Sequence, residues 1–161
     1  MSKTKNNSTT TPVDEKKFPT PRLEFVRYER LKEHESAEPL LLNRLLSEIR
    51  SDGSLRRPIA VDLNTKIILD GHYRFKCLKL LGCNIIPCYM FDYKKSEIIV
   101  LSHRDGENIT KEDVIRAGLT GNKLRPKSSK HLIKLPSGRF IHISQIGKDV
   151  NVKLEALKTQ R

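Results

Sequence analysis

Residues 67–82 read Ile67-Ile68-Leu69-Asp70-Gly71-His72-Tyr73-Arg74-Phe75-Lys76-Cys77-Leu78-Lys79-Leu80-Leu81-Gly82. An apolar strand runs straight into an acid, a glycine, a histidine and an arginine, and a helix with apolar spacing begins at once. That helix is expected to bury Phe75, Leu78 and Leu81 and to end at Gly82. One carboxylate, one imidazole and one guanidinium thus meet at a strand end and a helix N-terminus. Unpaired N–H groups and the helix dipole favour an anion such as phosphate there. Gly71 lets the backbone approach a ligand closely. Arg74 can fork onto a phosphate or carboxylate, and His72 can donate to an anion or move a proton. Asp70 can hold a metal-bound water or orient His72. The plain alternative is a capped turn carrying surface charges.

Working outward, Leu23 to Tyr28 alternates as a strand. Pro39 can open a helix that carries Leu41, Leu42, Leu45, Leu46 and Ile49 at helical spacing and stops at Gly53. Pro58 to Asp62 and Lys66 to Leu69 form a hairpin. Ile85 to Phe91 and Glu97 to Leu101 read as further strands. Thr110 caps a short helix closed by Gly118, with Asp113 three residues on. Leu119 to Ser129 is a loop, and residues 131–135 and 139–143 flank Pro136-Ser137-Gly138 as a second hairpin. Hairpins mixed with single helices indicate an α+β fold around a mixed sheet. The expected organisation is a disordered arm over residues 1–20, one domain over 21–147 and a basic C-terminal tail over 148–161.

The formal net charge is +12, and residues 122–161 hold ten Lys and Arg against two acids. Such a surplus suits a polyanion or a phosphorylated ligand, or simply a solvated surface. Aromatic residues are few and tryptophan is absent, which argues against a stacking platform for single strands. Cys77, Cys83 and Cys88 show no metal-ligand spacing and no disulfide framework, so they read as buried apolar residues of a reducing compartment. No run reaches the length of a membrane span, and the expected setting is cytoplasmic or nuclear.

Two further segments bear on chemistry. Lys32-Glu33-His34-Glu35-Ser36-Ala37-Glu38-Pro39 places three carboxylates before a helix; one can serve as a general base, or all can complement the dipole. Arg125-Pro126-Lys127-Ser128-Ser129-Lys130-His131 sets two hydroxyls between lysines, either as a phosphate clamp or as a basic loop ahead of a hairpin. The Gly-rich lead of a Walker loop is missing.

Jointly, these segments resemble the ParB/sulfiredoxin-like superfamily over roughly residues 22–135. The landmarks are the helix ending at Gly53, the Arg57-Pro58-Ile59 strand entry, the Asp70–Arg74 turn, the Leu80-Leu81-Gly82 helix end and Pro87. Within it the chain is most similar to the free L-serine kinases, which use ADP or ATP with Mg²⁺ to make O-phosphoserine. Their His-Glu pair is matched by His34-Glu35. Their Asp-Gly-His-His-Arg turn carries Tyr73 here in place of the second His. Their Lys-x-Thr-x-His motif is met by Lys127-Ser128-Ser129-Lys130-His131, with Ser129 in place of Thr, and His103 stands where an aromatic residue is expected.

The resemblance implies a kinase acting on free L-serine or a similar small hydroxy substrate. It implies that Glu35 is the base and touches serine together with His72. Asp70 is implied as a catalytic group that orients substrate or Mg²⁺. Gly71, His72 and Arg74 are implied to hold the nucleotide phosphates, with Lys127, Ser128, Ser129, Lys130 and His131 closing around them. Sulfiredoxin chemistry is disfavoured because His72 occupies the place of its reactive cysteine. A ParB-like nucleotide- and DNA-binding protein explains the charge, with nucleic acid held through the basic C-terminal region, but residues 119–161 do not read as a helix-turn-helix. A non-catalytic regulator that keeps the fold and binds a nucleotide or another anion is the third reading.

Overall fold

A computed structural model describes residues 20–159, so the arm expected over residues 1–20 lies outside the described residues except for Thr20. Strand β1 (Arg22–Arg27) and a 3-10 turn (Tyr28–Arg30) lead to helix α1 (Pro39–Asp52). Strands β2 (Ser54–Leu55), β3 (Ile59–Asp62) and β4 (Ile68–Asp70) follow, then helix α2 (His72–Leu80) and strand β5 (Ile85–Phe91). Next come strand β6 (Ile98–Leu101), helix α3 (Lys111–Thr120) and the hairpin of β7 (Lys130–Lys134) and β8 (Phe140–His142). A 3-10 turn (Ile143–Gln145), strand β9 (Val152–Lys153) and a last 3-10 turn (Leu154–Leu157) complete the described chain.

The central sheet has the order β1-β5-β3-β4 and is mixed: β3 runs parallel to β5, while β1 and β4 are antiparallel to their neighbours. Parallel neighbours need a crossover, and α2 lies on that connection. Both faces of the sheet are covered, so its strands read as apolar runs. Period-2 alternation sends Ile59, Val61, Ile68, Ile86 and Cys88 into one apolar layer with α1 and α2. It sends Ala60, Leu69, Tyr89 and Phe91 into the other, with Val114 of α3 and Ile133 of β7. A second sheet, β6-β7-β8, closes that layer.

Local signals explain the helix ends. Gly53 adopts φ 66° and returns its N–H to the Ile49 carbonyl at 2.9 Å. Thr110 and Asp113 form a reciprocal capping box at the start of α3. Gly118 does not close α3 as expected; the helix runs on to Thr120 and Gly121 caps it. Gly118 is a packing glycine, since a Cβ there would sit 2.6 Å from the Ile67 side chain.

The expected tail over 148–161 is corrected for its described part. Strand β9 pairs with β2, the Leu154 N–H reaches the Gly53 carbonyl at 3.0 Å, and Leu154 and Leu157 are buried in the α1–α2 layer. Val152, Leu154 and Leu157 supply this apolar contact from within a charged stretch. Among the described residues no helix is long and apolar enough to cross a membrane.

Candidate active site

The turn between β4 and α2 needs its glycine twice over. Gly71 has φ 101°, and a Cβ on it would lie 2.6 Å from Ile59 Cγ2 and 2.9 Å from Arg74 Nη2. The first N–H groups of α2 have no partner within the helix, and Gly71 to Arg74 lie along the edge of a cavity. That cavity, about 330 Å³, is lined by Glu35, Asp70, Gly71, His72, Arg74, Lys127 and Ser129 among others. Three separate sequence segments thus converge on one hollow.

Segment 32–36 is fixed by backbone pairing on both sides. Lys32 bridges Ile67 and Glu35 bridges Leu124, with N–H···O contacts of 2.8–2.9 Å at each end. This holds His34 and Glu35 between the β4–α2 turn and the 124–129 loop. Glu35 Oε1 accepts the N–H groups of Ser128 and Ser129, while Oε2 lies 3.9 Å from His72 Nδ1. Burial pushes the Glu35 carboxyl above its ordinary range, and the Asp70 charge adds to this against the two N–H bonds.

Three buried histidines stack behind the hollow. His34 and His72 meet edge-on at 4.5 Å between ring centroids, and His34 and His131 at 6.0 Å. Burial lowers all three: His34 to about 4, His131 to about 3 and His72 well below its ordinary value. They are neutral near pH 7. His72 Nε2 accepts the His34 backbone N–H at 3.2 Å, which assigns its ring proton to Nδ1, toward Glu35.

The expected phosphate ligands separate into two groups. Gly71, His72, Lys127 and Ser129 line the cavity, and so does Arg74. Arg74, however, donates Nη1 to the Arg57 and Pro58 carbonyls at 2.9 and 2.8 Å and Nη2 to Asp70 at 3.0 Å. Three of its five N–H donors are spent on the fold. Ser128, Lys130 and His131 do not line the cavity. Ser128 gives its N–H to Glu35 and its hydroxyl to the Arg125 carbonyl. Lys130 pairs with Leu101 at the start of β7. His131 is buried against Tyr93, whose hydroxyl lies 2.7 Å from Nε2.

His103, Tyr73 and His142 also line the cavity, although no functional role was expected for them. Tyr73 ties its hydroxyl to the Glu38 N–H at 3.0 Å. His142 arrives from the end of β8, beyond which the Arg57 guanidinium binds the carbonyls of Ser144, Ile146 and Gly147. The backbone carbonyls that engage Arg57 and Arg74 carry no sequence signal; His103 was visible only as a departure from a motif.

A second cavity of about 460 Å³ lies between α3 and the 102–109 loop. Its charges are paired, Glu107 with Arg125 at 2.7 Å, Asp113 with Arg116 at 3.7 Å and Lys123 with Glu33 outside the lining at 3.1 Å. The three cysteines are buried and unpaired, with burial raising the Cys77 thiol to about 11. Among the described residues no three His, Cys, Asp or Glu side chains form a metal cluster.

No protein-family model matches the chain. A ParB-like protein of Sulfolobus acidocaldarius is 37% identical over 79 residues, 49% of this chain and 39% of that protein. An ATP-dependent L-serine kinase of Desulfurococcus mucosus is 31% identical over 78 residues, 46% of this chain and 31% of that one. The chain thus matches two fifths or less of each relative's own length. The solved structure of a free serine kinase in complex with AMP superposes with a TM-score of 0.70 at 15% identity, covering 88% of this chain and 97% of that chain. The chain therefore has an α+β fold shared with that free serine kinase structure.

Proposed function

We propose that the protein is a kinase that transfers a phosphoryl group from ADP or ATP to the hydroxyl of free L-serine, giving O-phospho-L-serine. The observation that carries this reading is Glu35. Its carboxylate is desolvated, anchored through one oxygen by two backbone N–H groups, and set at a hollow edged by a helix N-terminus. A raised carboxyl suits a general base. Glu35 Oε2 takes the hydroxyl proton, the serine oxygen bonds to the terminal phosphorus, and the P–O bond to the nucleotide breaks with its electron pair leaving on the nucleotide. Phosphoryl transfer needs mainly positioning and charge neutralisation. The N-terminus of α2, the His72 Nδ1–H and Lys127 supply donors and positive charge for the phosphates. The kinases among the sequence relatives support the same reading.

Magnesium is held in such sites by one or two carboxylates together with substrate phosphates. Asp70 fits that role: Oδ2 is engaged by Arg74, and Oδ1 has no hydrogen bond among the described residues. Bound there, Mg²⁺ would neutralise phosphate charge.

The test is direct. Purified protein with Mg²⁺, L-serine and ADP or ATP is expected to yield O-phosphoserine, and Glu35→Gln to abolish the product while retaining nucleotide. No product with either nucleotide refutes the proposal.

A second reading adds to the first. Lys130, Lys134, Arg139 and Lys148 have no acidic partner within 4.0 Å among the described residues, which favours a polyanion such as nucleic acid on the basic C-terminal region. Residues 119–159 contain no helix-turn-helix, so binding of this kind would be non-specific. It predicts an affinity that falls steeply with salt; a flat salt dependence excludes it.

A further inference from the structure

We propose that Ser129 recognises the ammonium group of the acceptor substrate, its oxygen turned into a dedicated hydrogen-bond acceptor by the buried His34. This rests on the serine-kinase reading and refines it. The chain of contacts begins at the Ile68 carbonyl, which can only accept. His34 Nδ1 lies 2.7 Å from it and must carry the ring proton. The ring is wholly buried and neutral, so Nε2 is bare. Ser129 Oγ lies 2.8 Å from Nε2 and must spend its one proton there. What Ser129 offers a ligand is lone pairs alone.

This polarity changes the role of the residue. Phosphate oxygens are acceptors and find no proton on Ser129. An ammonium group finds an oxygen ready to receive it. Beside Ser129, Glu35 Oε1 is occupied by two N–H groups and Oε2 remains for the substrate hydroxyl. The cavity thus has an acceptor pole, Glu35 and Ser129, and a donor pole at α2, His72 and Lys127. A small amino acid bearing a hydroxyl satisfies both atoms of the acceptor pole. A hydroxy acid without nitrogen leaves Ser129 unpaired. His34 is a positioning residue, acting only through Ser129.

The experiment compares L-serine with 3-hydroxypropionate, which keeps the carboxylate and the hydroxyl but lacks the ammonium. Calorimetric titration of the full chain with AMP in place of ADP or ATP fills the nucleotide subsite and reads affinity without turnover. A hydrogen bond to a charged group predicts about ten- to a hundredfold tighter binding of serine. Ser129→Ala is expected to bring the two ligands to within about threefold by weakening serine alone, with nucleotide affinity unchanged. Ser129→Thr, which keeps the hydroxyl, is expected to retain the preference. Nitrogen-15 NMR is expected to show His34 neutral with its proton on Nδ1. Equal weakening of both ligands, loss of nucleotide affinity, an unchanged preference in Ser129→Ala, no serine binding, or a His34 proton on Nε2 overturns the inference. Preference for serine in binding without any O-phosphoserine formed leaves the ammonium site standing and refutes the kinase reading instead.

Discussion

Replacing Gly71 with alanine tests the turn that organises the site. Two terms add. At φ 101° a side chain is strained by about 1–2 kcal/mol. The new Cβ also meets Ile59 Cγ2 at 2.6 Å and Ile59 Cβ at 2.9 Å. Ile59 is fully buried in β3, flanked by β4 and β5, and cannot retreat. Arg74 Nη2, at 2.9 Å, is held by Asp70. Overpacking of this kind costs about 1–3 kcal/mol, so the total is roughly 2–5 kcal/mol, a large part of a typical domain's 5–15 kcal/mol. Gly53→Ala is the internal control. Gly53 has φ 66°, but a Cβ there meets nothing within 4 Å, so the expected loss is about 1 kcal/mol. Urea unfolding of both variants separates the contact from the strain. Equal stabilities of the two variants within about 0.5 kcal/mol would refute the packing argument. At temperatures where Gly71→Ala remains folded, its displaced first turn is expected to weaken nucleotide binding as well.

Two other outcomes follow from buried groups. His34 and His131 are lowered to about 4 and about 3, so their neutral forms favour the fold above the ordinary histidine range and that contribution is lost as pH falls through the folded values. Stability should drop by at least about 3 kcal/mol between pH 7 and pH 4, read from urea midpoints; Glu35, shifted upward, opposes this because its contribution is present at low pH and lost as pH rises. An unchanged midpoint across that window counts against neutral buried histidines. Leu157→Ala removes a fully buried side chain and is expected to cost about 2–5 kcal/mol by thermal or urea unfolding. A change below about 0.5 kcal/mol would mean that this segment is a tail after all.

The central strand–turn–helix was legible because its signals are local. An apolar run, a glycine with a forced φ and a 3.6-residue pattern follow one another without a gap. Helix α1 was legible for the same reason, through Pro39 and Gly53. Glu35 and the Asp70–Arg74 turn were legible as motifs. What escaped depends on distant backbone. Arg74 reads as a phosphate fork until the Arg57 and Pro58 carbonyls claim its donors. His142 gives no hint that β8 ends at the cavity. His131 did carry a usable signal: it shares strand parity with Ile133 and Leu135, both buried, which turns it inward. Leu154 and Leu157 were hidden by the charged residues around them.

The pairing of segment 32–36 on both edges has a kinetic meaning. Lys32 and Ser36 donate to Lys66 and Leu124, and Lys32 and His34 accept from Ile68 and Leu124. The Glu35 carboxylate, proposed above to accept the substrate proton, therefore rides on backbone that is stitched into the domain, not on a lid. On the proposed kinase reading, turnover does not wait for Glu35 to arrive. If a motion limits the rate, it belongs to the other wall, where Lys127 sits at φ 57° in an exposed loop. Amide hydrogens of Lys32, Ser36 and Leu124 would then exchange as slowly as those of the central strands, while those of the 102–107 loop and of Arg125 and Lys127 exchange early.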